Sequence, residues 1–170
     1  MRTRKIETTI QIYTLDELAE AERELVLAAR KATSLSYSPY SHFRVGCAVR
    51  LTDGLIVPGA NQENASYGLA LCSERTTLFG IGNMGRKADV TALAVTGRLG
   101  TVPEATYRGK APLTPCGACR QVIREFQDLG GRPIVLLLDG YCDEIWRVEG
   151  IDALLPLGFG PMDFGVDIHG

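Results

Sequence analysis

Histidine is nearly absent from this sequence: His42 and His169 are the only two in 170 residues. His42 reads as a solvated loop residue and His169 as part of a frayed tail, so neither is taken as a metal ligand. No apolar run approaches the roughly 20 residues that a bilayer-spanning helix needs, so no membrane span is expected. Arg2, Arg4 and Lys5 are followed by no apolar stretch of the kind a secretory leader carries, which points to the cytoplasm. The chain also lacks an excess of one charge. Its formal net charge is −2 and acids and bases are interspersed, whereas a polynucleotide reader usually carries a basic face. A nucleic acid polymer is therefore not the expected partner. A disulfide framework is missing too: five cysteines is an odd number, and a reducing cytosol disfavours disulfides. Metal binding or catalysis better explains at least some of them.

With 45% hydrophobic and 22% charged residues the chain has the composition of an ordinary globule. Its length makes one domain, residues 1–170, the default; residues 1–13 alternate loosely and read as an extended N-terminal arm or an edge segment. Thr14 and Glu17 form a capping box, and Leu18, Ala21, Leu25, Ala28 and Ala32 recur at helical steps, predicting a helix that fades near Ser34. Residues 43–51 alternate as a strand, Asp53-Gly54 signals a hairpin, and residues 55–60 return. A helix runs from Cys72 toward Ile81, a strand covers 90–96, and 97–114 reads as a long loop punctuated by Gly97, Gly100, Pro103, Gly109 and Pro112. Pro115 suits the first turn of a helix that stops at Gly130-Gly131. Strands at 134–138 and 144–148 and a short helix at 152–155 complete the chain. Strand and helix alternate, which predicts an α/β fold: three layers, α/β/α, around a central mixed sheet of about five strands.

Against that frame the cysteines take on a pattern. Cys72 stands two residues before Glu74, and Pro115-Cys116-Gly117-Ala118-Cys119 follows, together C-x-E … P-C-x-x-C. Three thiolates can hold a zinc ion and leave its fourth position for water, with Glu74 placed to move that water's protons. In its histidine-first form this is the zinc deaminase signature, which also admits three cysteines. Both motifs fall at predicted helix starts, where partial positive charge and free N–H groups stabilise thiolates. Arg75 and Arg120 are available to offset the remaining negative charge. A structural site with Cys47 or Cys142 as fourth ligand is the alternative. Cys47 fits a buried strand face and Cys142 an apparent turn, so neither is the better reading.

Over most of its length the chain resembles the small homotetrameric zinc-dependent cytidine deaminases. The runs that carry the resemblance are 37–46 (YSPYSHFRVG), 61–68 (NQENASYG), 71–76 (LCSERT), 114–122 (TPCGACRQV) and 154–161 (LLPLGFGP). It implies zinc-dependent hydrolytic deamination of cytidine and 2′-deoxycytidine, in pyrimidine salvage, with one zinc per subunit held by Cys72, Cys116 and Cys119. Glu74 is implied as the proton carrier, Asn61 and Glu63 as ribose ligands, and Phe43 as a ring against the pyrimidine. The resemblance further implies that the backbone at Ser73 reads the base edge, that Arg75 bonds a zinc thiolate, and that Tyr67 and Phe159 reach a neighbouring subunit's site. The chain departs from the pattern at Ser73, where alanine is frequent, which puts a hydroxyl near the base edge. It also departs at Cys47, at Arg44, in a longer 97–114 segment and in the extended arm. Three other readings remain: a deaminase of a base-like antibiotic such as blasticidin S, a polynucleotide cytidine deaminase, and a non-catalytic zinc-stabilised oligomeric module.

Overall fold

The computed structural model describes residues 1–166 and 168; His169 lies outside them. Six strands form one sheet: β1 (Gln11–Tyr13), β2 (Phe43–Leu51), β3 (Ile56–Ala60), β4 (Val90–Leu99), β5 (Val135–Leu138) and β6 (Ile145–Glu149), in the order β1-β6-β5-β4-β2-β3. Every neighbouring pair is antiparallel except β4 and β5. The parallel pair is joined by α3 (Gly117–Gly130), while α2 (Ser73–Asn83) lies between β3 and β4, and α1 (Glu20–Ala32) precedes β2. Six strands agree with a count of about five, the 1–13 segment supplying an edge strand that pairs with β6, Ile12 opposite Trp146.

Successive residues of the central strands are buried on opposite faces, as in sheets covered on both sides. Cys47, Val49, Leu93, Val95, Leu136 and Leu138 pack with Leu78, Ile81, Ile123 and Phe126 of α2 and α3. The intervening Ala48, Ala94 and Leu137 meet Leu25, Val26 and Ala29 of α1. The small residues on that second face let α1 come close. A Cβ on Gly46 would lie 2.1 Å from the Ala29 carbonyl oxygen and 2.7 Å from the Thr33 nitrogen, so β2 can touch the helix backbone only through glycine. A buried carboxylate ties the same helix to the end of β5: Asp139 takes Arg30 through two bonds of 2.8 and 2.9 Å and the Thr96 hydroxyl at 2.7 Å.

Helix α1 starts later than the capping box predicts. The Glu17 carboxylate accepts the Thr14 N–H at 2.8 Å and its hydroxyl at 3.0 Å, and the Glu17 N–H returns to the Thr14 carbonyl. The box closes a turn of its own. The helix follows at Glu20, with Glu20 and Glu22 in its first turn and Arg30 and Lys31 in its last, each complementing the helix dipole. Its buried face is Leu25, Val26, Ala29 and Ala32, while Ala21 is exposed.

The strand β4 also runs three residues past the predicted break at Gly97, pairing Gly97, Arg98 and Leu99 with Val45, Arg44 and Phe43. Gly97 is not a turn residue. A Cβ there would lie 2.8 Å from the Phe43 ring and 2.9 Å from the Leu113 side chain, so glycine makes room for both. The segment that follows is sewn to the end of β5, with Gly109 donating to the Tyr141 carbonyl and Leu113 to that of Asp139.

Candidate active site

Cys72 and Cys116 are the N-cap residues of α2 and α3, both in extended backbone conformation. The two helices pack side by side on one face of the sheet, so their starts meet although the cysteines are 44 residues apart. Pro115 precedes the cap rather than occupying the first turn. Cys119, one turn into α3, completes the group. The sulfur atoms of Cys72 and Cys116 are 3.7 Å apart and those of Cys116 and Cys119 3.5 Å. Ligand sulfurs about 2.3 Å from a tetrahedral zinc would be about 3.8 Å from one another. Among the described residues this is the one such group of three donors. Cys47 is wholly buried in the core, and the Cys142 thiol is turned to the Glu144 carbonyl at 3.2 Å.

The electrostatics fit a cation. Hydrogen bonding to Cys119, then to Arg75 and Cys116, brings the Cys72 thiol down to about 5 against its burial. Cys119 moves up, through its bond to the Cys72 sulfur, its burial and the charge of Glu74. A divalent ion is what lets coordinating thiols stay deprotonated together. Arg75 Nη2 reaches the Cys72 sulfur at 3.9 Å and the Ala70 carbonyl at 3.5 Å, while its Nε is buried without a partner. Arg120 does not share this role. Its guanidinium donates to the carbonyls of Pro115 at 2.8 Å and Leu154 at 2.7 Å, tying the chain's C-terminal part to the start of α3.

Glu74, in the first turn of α2, is only 3% exposed. Burial, then the negative charge of Cys72, raises its carboxyl above the ordinary range, opposed by its own backbone N–H and the Ser73 hydroxyl. Ser73 is fully buried, and its hydroxyl donates to Glu74 Oε2 at 3.0 Å. The extra hydroxyl expected near the base edge is therefore turned onto the glutamate.

A cavity of about 290 Å³ brings together Glu74, Cys72, Cys116, Asn61 and Glu63, with Val45, Leu71 and Leu113 as its apolar wall. Asn61 is largely committed within the protein. Its Oδ1 accepts the Val45 N–H at 2.9 Å and the Ser36 hydroxyl at 2.6 Å, and its Nδ2 donates to the Phe43 carbonyl at 3.0 Å, leaving one amide hydrogen. Glu63 is held as an anion: the Ser41 hydroxyl, then the N–H groups of Tyr40 and Ser41, keep its carboxyl below the usual range. Phe43 packs beside Gly97 and Leu113 and, in the single chain, does not line the cavity. Tyr67 and Phe159 stand 75% and 52% exposed. Tyr67 meets the edge of Tyr40 at 5.6 Å, and Phe159 that of Phe164 at 4.9 Å. A larger hollow of about 430 Å³ beside Arg30 and Tyr141 holds no such thiol group.

Sequence reasoning missed Ser36, Ser41, Leu113 and Thr114. The first two hold Asn61 and Glu63 from more than 20 residues away, with no spacing to betray them. Leu113 and Thr114 line the cavity from the end of an irregular segment, and only the position of Thr114 next to the P-C-x-x-C run hinted at it.

A three-layer sheet whose two neighbouring helix starts present three thiols and a buried glutamate to one cavity defines a zinc deaminase class of protein. Residues 19–130 match the family described as cytidine and deoxycytidylate deaminase zinc-binding region, and the chain belongs to that family. It is 40% identical over 139 residues to a cytidine deaminase of Halalkalibacterium halodurans, covering 82% of this chain and 94% of that one. Identity to a cytidine deaminase of Mycobacterium tuberculosis is 36% over 132 residues, covering 78% and 84%. The crystal structure of cytidine deaminase from Burkholderia pseudomallei superposes with a TM-score of 0.68 at 39% identity, over 80% of this chain and 97% of that one.

Proposed function

We propose that this protein is a cytidine deaminase, which replaces the 4-amino group of cytidine and 2′-deoxycytidine with oxygen from water and releases uridine or 2′-deoxyuridine and ammonia. The observation that carries this reading is the buried Glu74 carboxyl beside three clustered thiols, on the same cavity as Asn61 and Glu63. Cys72, Cys116 and Cys119 would hold zinc, which when bound lowers the pKa of a water and stabilises charge developing at C4. Glu74 takes one proton of the attacking water and gives it to ring N3, then takes the proton of the new C4 hydroxyl and gives it to the amine, which leaves as ammonia as the C4 carbonyl forms. Val45, Leu71 and Leu113 exclude water around the base. Glu63 accepts a hydrogen bond from a ribose hydroxyl, and the second amide hydrogen of Asn61 is free to donate.

The packing of Phe43 against the pyrimidine ring is part of the same reading. One zinc per chain, a homotetramer completed by Tyr67 and Phe159 of neighbouring chains, and a cytoplasmic location belong to the same proposal. The exposure of both aromatics supports the shared site, and the free thiols suit a reducing compartment.

The test is loss of ultraviolet absorbance on mixing with cytidine, run in parallel with 2′-deoxycytidine, blasticidin S and a cytosine oligonucleotide. Turnover of the two nucleosides is expected; turnover of only the antibiotic or the oligonucleotide, or of nothing, would overturn the assignment. Glu74→Gln should keep its zinc and lose at least about 100-fold in kcat. Turnover at the normal rate in that variant would remove Glu74 from the proton path.

A further inference from the structure

Ser73 has one hydroxyl proton to donate, and its surroundings decide where that proton goes. The residue is fully buried and does not line the cavity, so the hydroxyl is not presented to a ligand. Its one acceptor at hydrogen-bond distance is Glu74 Oε2, at 3.0 Å. Ser73 is itself fixed from behind. Its carbonyl accepts the hydroxyls of Thr76 at 2.8 Å and Thr77 at 2.7 Å, and the Thr76 hydroxyl also lies 2.9 Å from the Ala60 carbonyl at the end of β3. Thr77 fits because β3 has glycine beside it: a Cβ on Gly59 would lie 2.2 Å from Thr77 Oγ1. Two threonine hydroxyls thus hold the Ser73 backbone, while the Ser73 hydroxyl itself turns to the carboxylate.

We propose that Ser73 is a positioning residue, whose hydroxyl anchors the Glu74 carboxylate against the thiol cluster from the side away from the substrate. The proposal rests on the reading of Glu74 as the proton carrier. A glutamate side chain has three rotatable bonds, and a proton relay between two substrate positions tolerates little misplacement of its oxygens. A hydrogen bond to Oε2 from a buried, doubly held residue restricts that freedom. Arg75 does not take this part: its Nη2 is directed at the Cys72 sulfur and the Ala70 carbonyl, not at the Glu74 carboxylate.

The experiment compares Ser73→Ala, Glu74→Gln, Glu74→Asp and the Ser73→Ala/Glu74→Asp double variant in steady-state deamination of cytidine, with zinc content and melting temperature for each. Ser73→Ala should bind zinc stoichiometrically, melt as the parent does and lose about tenfold in kcat, the worth of one hydrogen bond to a charged group. Its KM should stay within about twofold, because the hydroxyl does not meet the substrate. With Glu74→Asp the shorter carboxylate is withdrawn from the hydroxyl, so adding Ser73→Ala should cost little more. An unchanged kcat in Ser73→Ala, or the same loss in the Glu74→Asp background as in the parent, would overturn the positioning role. Normal turnover by Glu74→Gln would instead overturn the underlying reading of the glutamate, whatever Ser73→Ala does.

Discussion

Asn61 and Glu63 border the same cavity but are prepared for it differently. The asparagine is a clip that holds the start of β2 through two hydrogen bonds and Ser36 through a third, with one donor left over. The glutamate takes the Ser41 hydroxyl and two backbone donors, and these keep it ionised. Glu63→Gln retains an acceptor but loses the charge, and should raise the KM for cytidine about tenfold with a smaller effect on kcat; an unchanged KM in steady-state kinetics would remove Glu63 from substrate binding. The cysteines are sharper. Cys116 is bonded to both other thiols, so Cys116→Ala should lose its metal, and metal analysis finding one zinc per chain would refute the three-thiolate site. Cys72, Glu74, Cys116 and Cys119 were legible because their spacing is dictated by chemistry within single helix starts. Ser36 and Ser41 were not, since a hydroxyl that supports another side chain from more than 20 residues away leaves no local signature.

At the scale of elements, glycine marked two places where local reading and packing part company. Gly97 looked like the end of a strand, yet it continues β4 and clears space for Phe43 and Leu113. Gly46 lies mid-strand, where glycine ordinarily weakens a sheet, and is required by the approach of the α1 backbone. Gly46→Ala must push helix and strand apart, and should cost about 1–3 kcal/mol in urea denaturation; a stability equal to the parent's would show that α1 can shift freely. The capping box at Thr14 and Glu17 is likewise a real local structure, but the chain spends it on a turn before the helix. Element type was readable because hydrophobic periods persist over many residues. Boundaries were not, because they are settled by which neighbour each end meets.

For the whole molecule, the described single chain leaves Tyr67 and Phe159 outside the cavity, though both are large, aromatic and exposed. If neighbouring chains complete each site, sedimentation should show four chains, and specific activity should fall on dilution as they separate. Undiminished activity of a monomer would show that one chain suffices. The sequence by itself determined the chemistry: three thiols with a glutamate two residues after the first, and helices and strands in alternation, follow from short spacings and long periods that any fold must respect. Only the tertiary structure decided that α2 and α3 start side by side, that the Ser73 hydroxyl donates to Glu74, that Arg120 braces the backbone while Arg75 faces sulfur, and that of the N-terminal segment it is Gln11–Tyr13 that pairs with β6. Those outcomes depend on which distant groups share a small buried space, and burial is a property of the assembled layers.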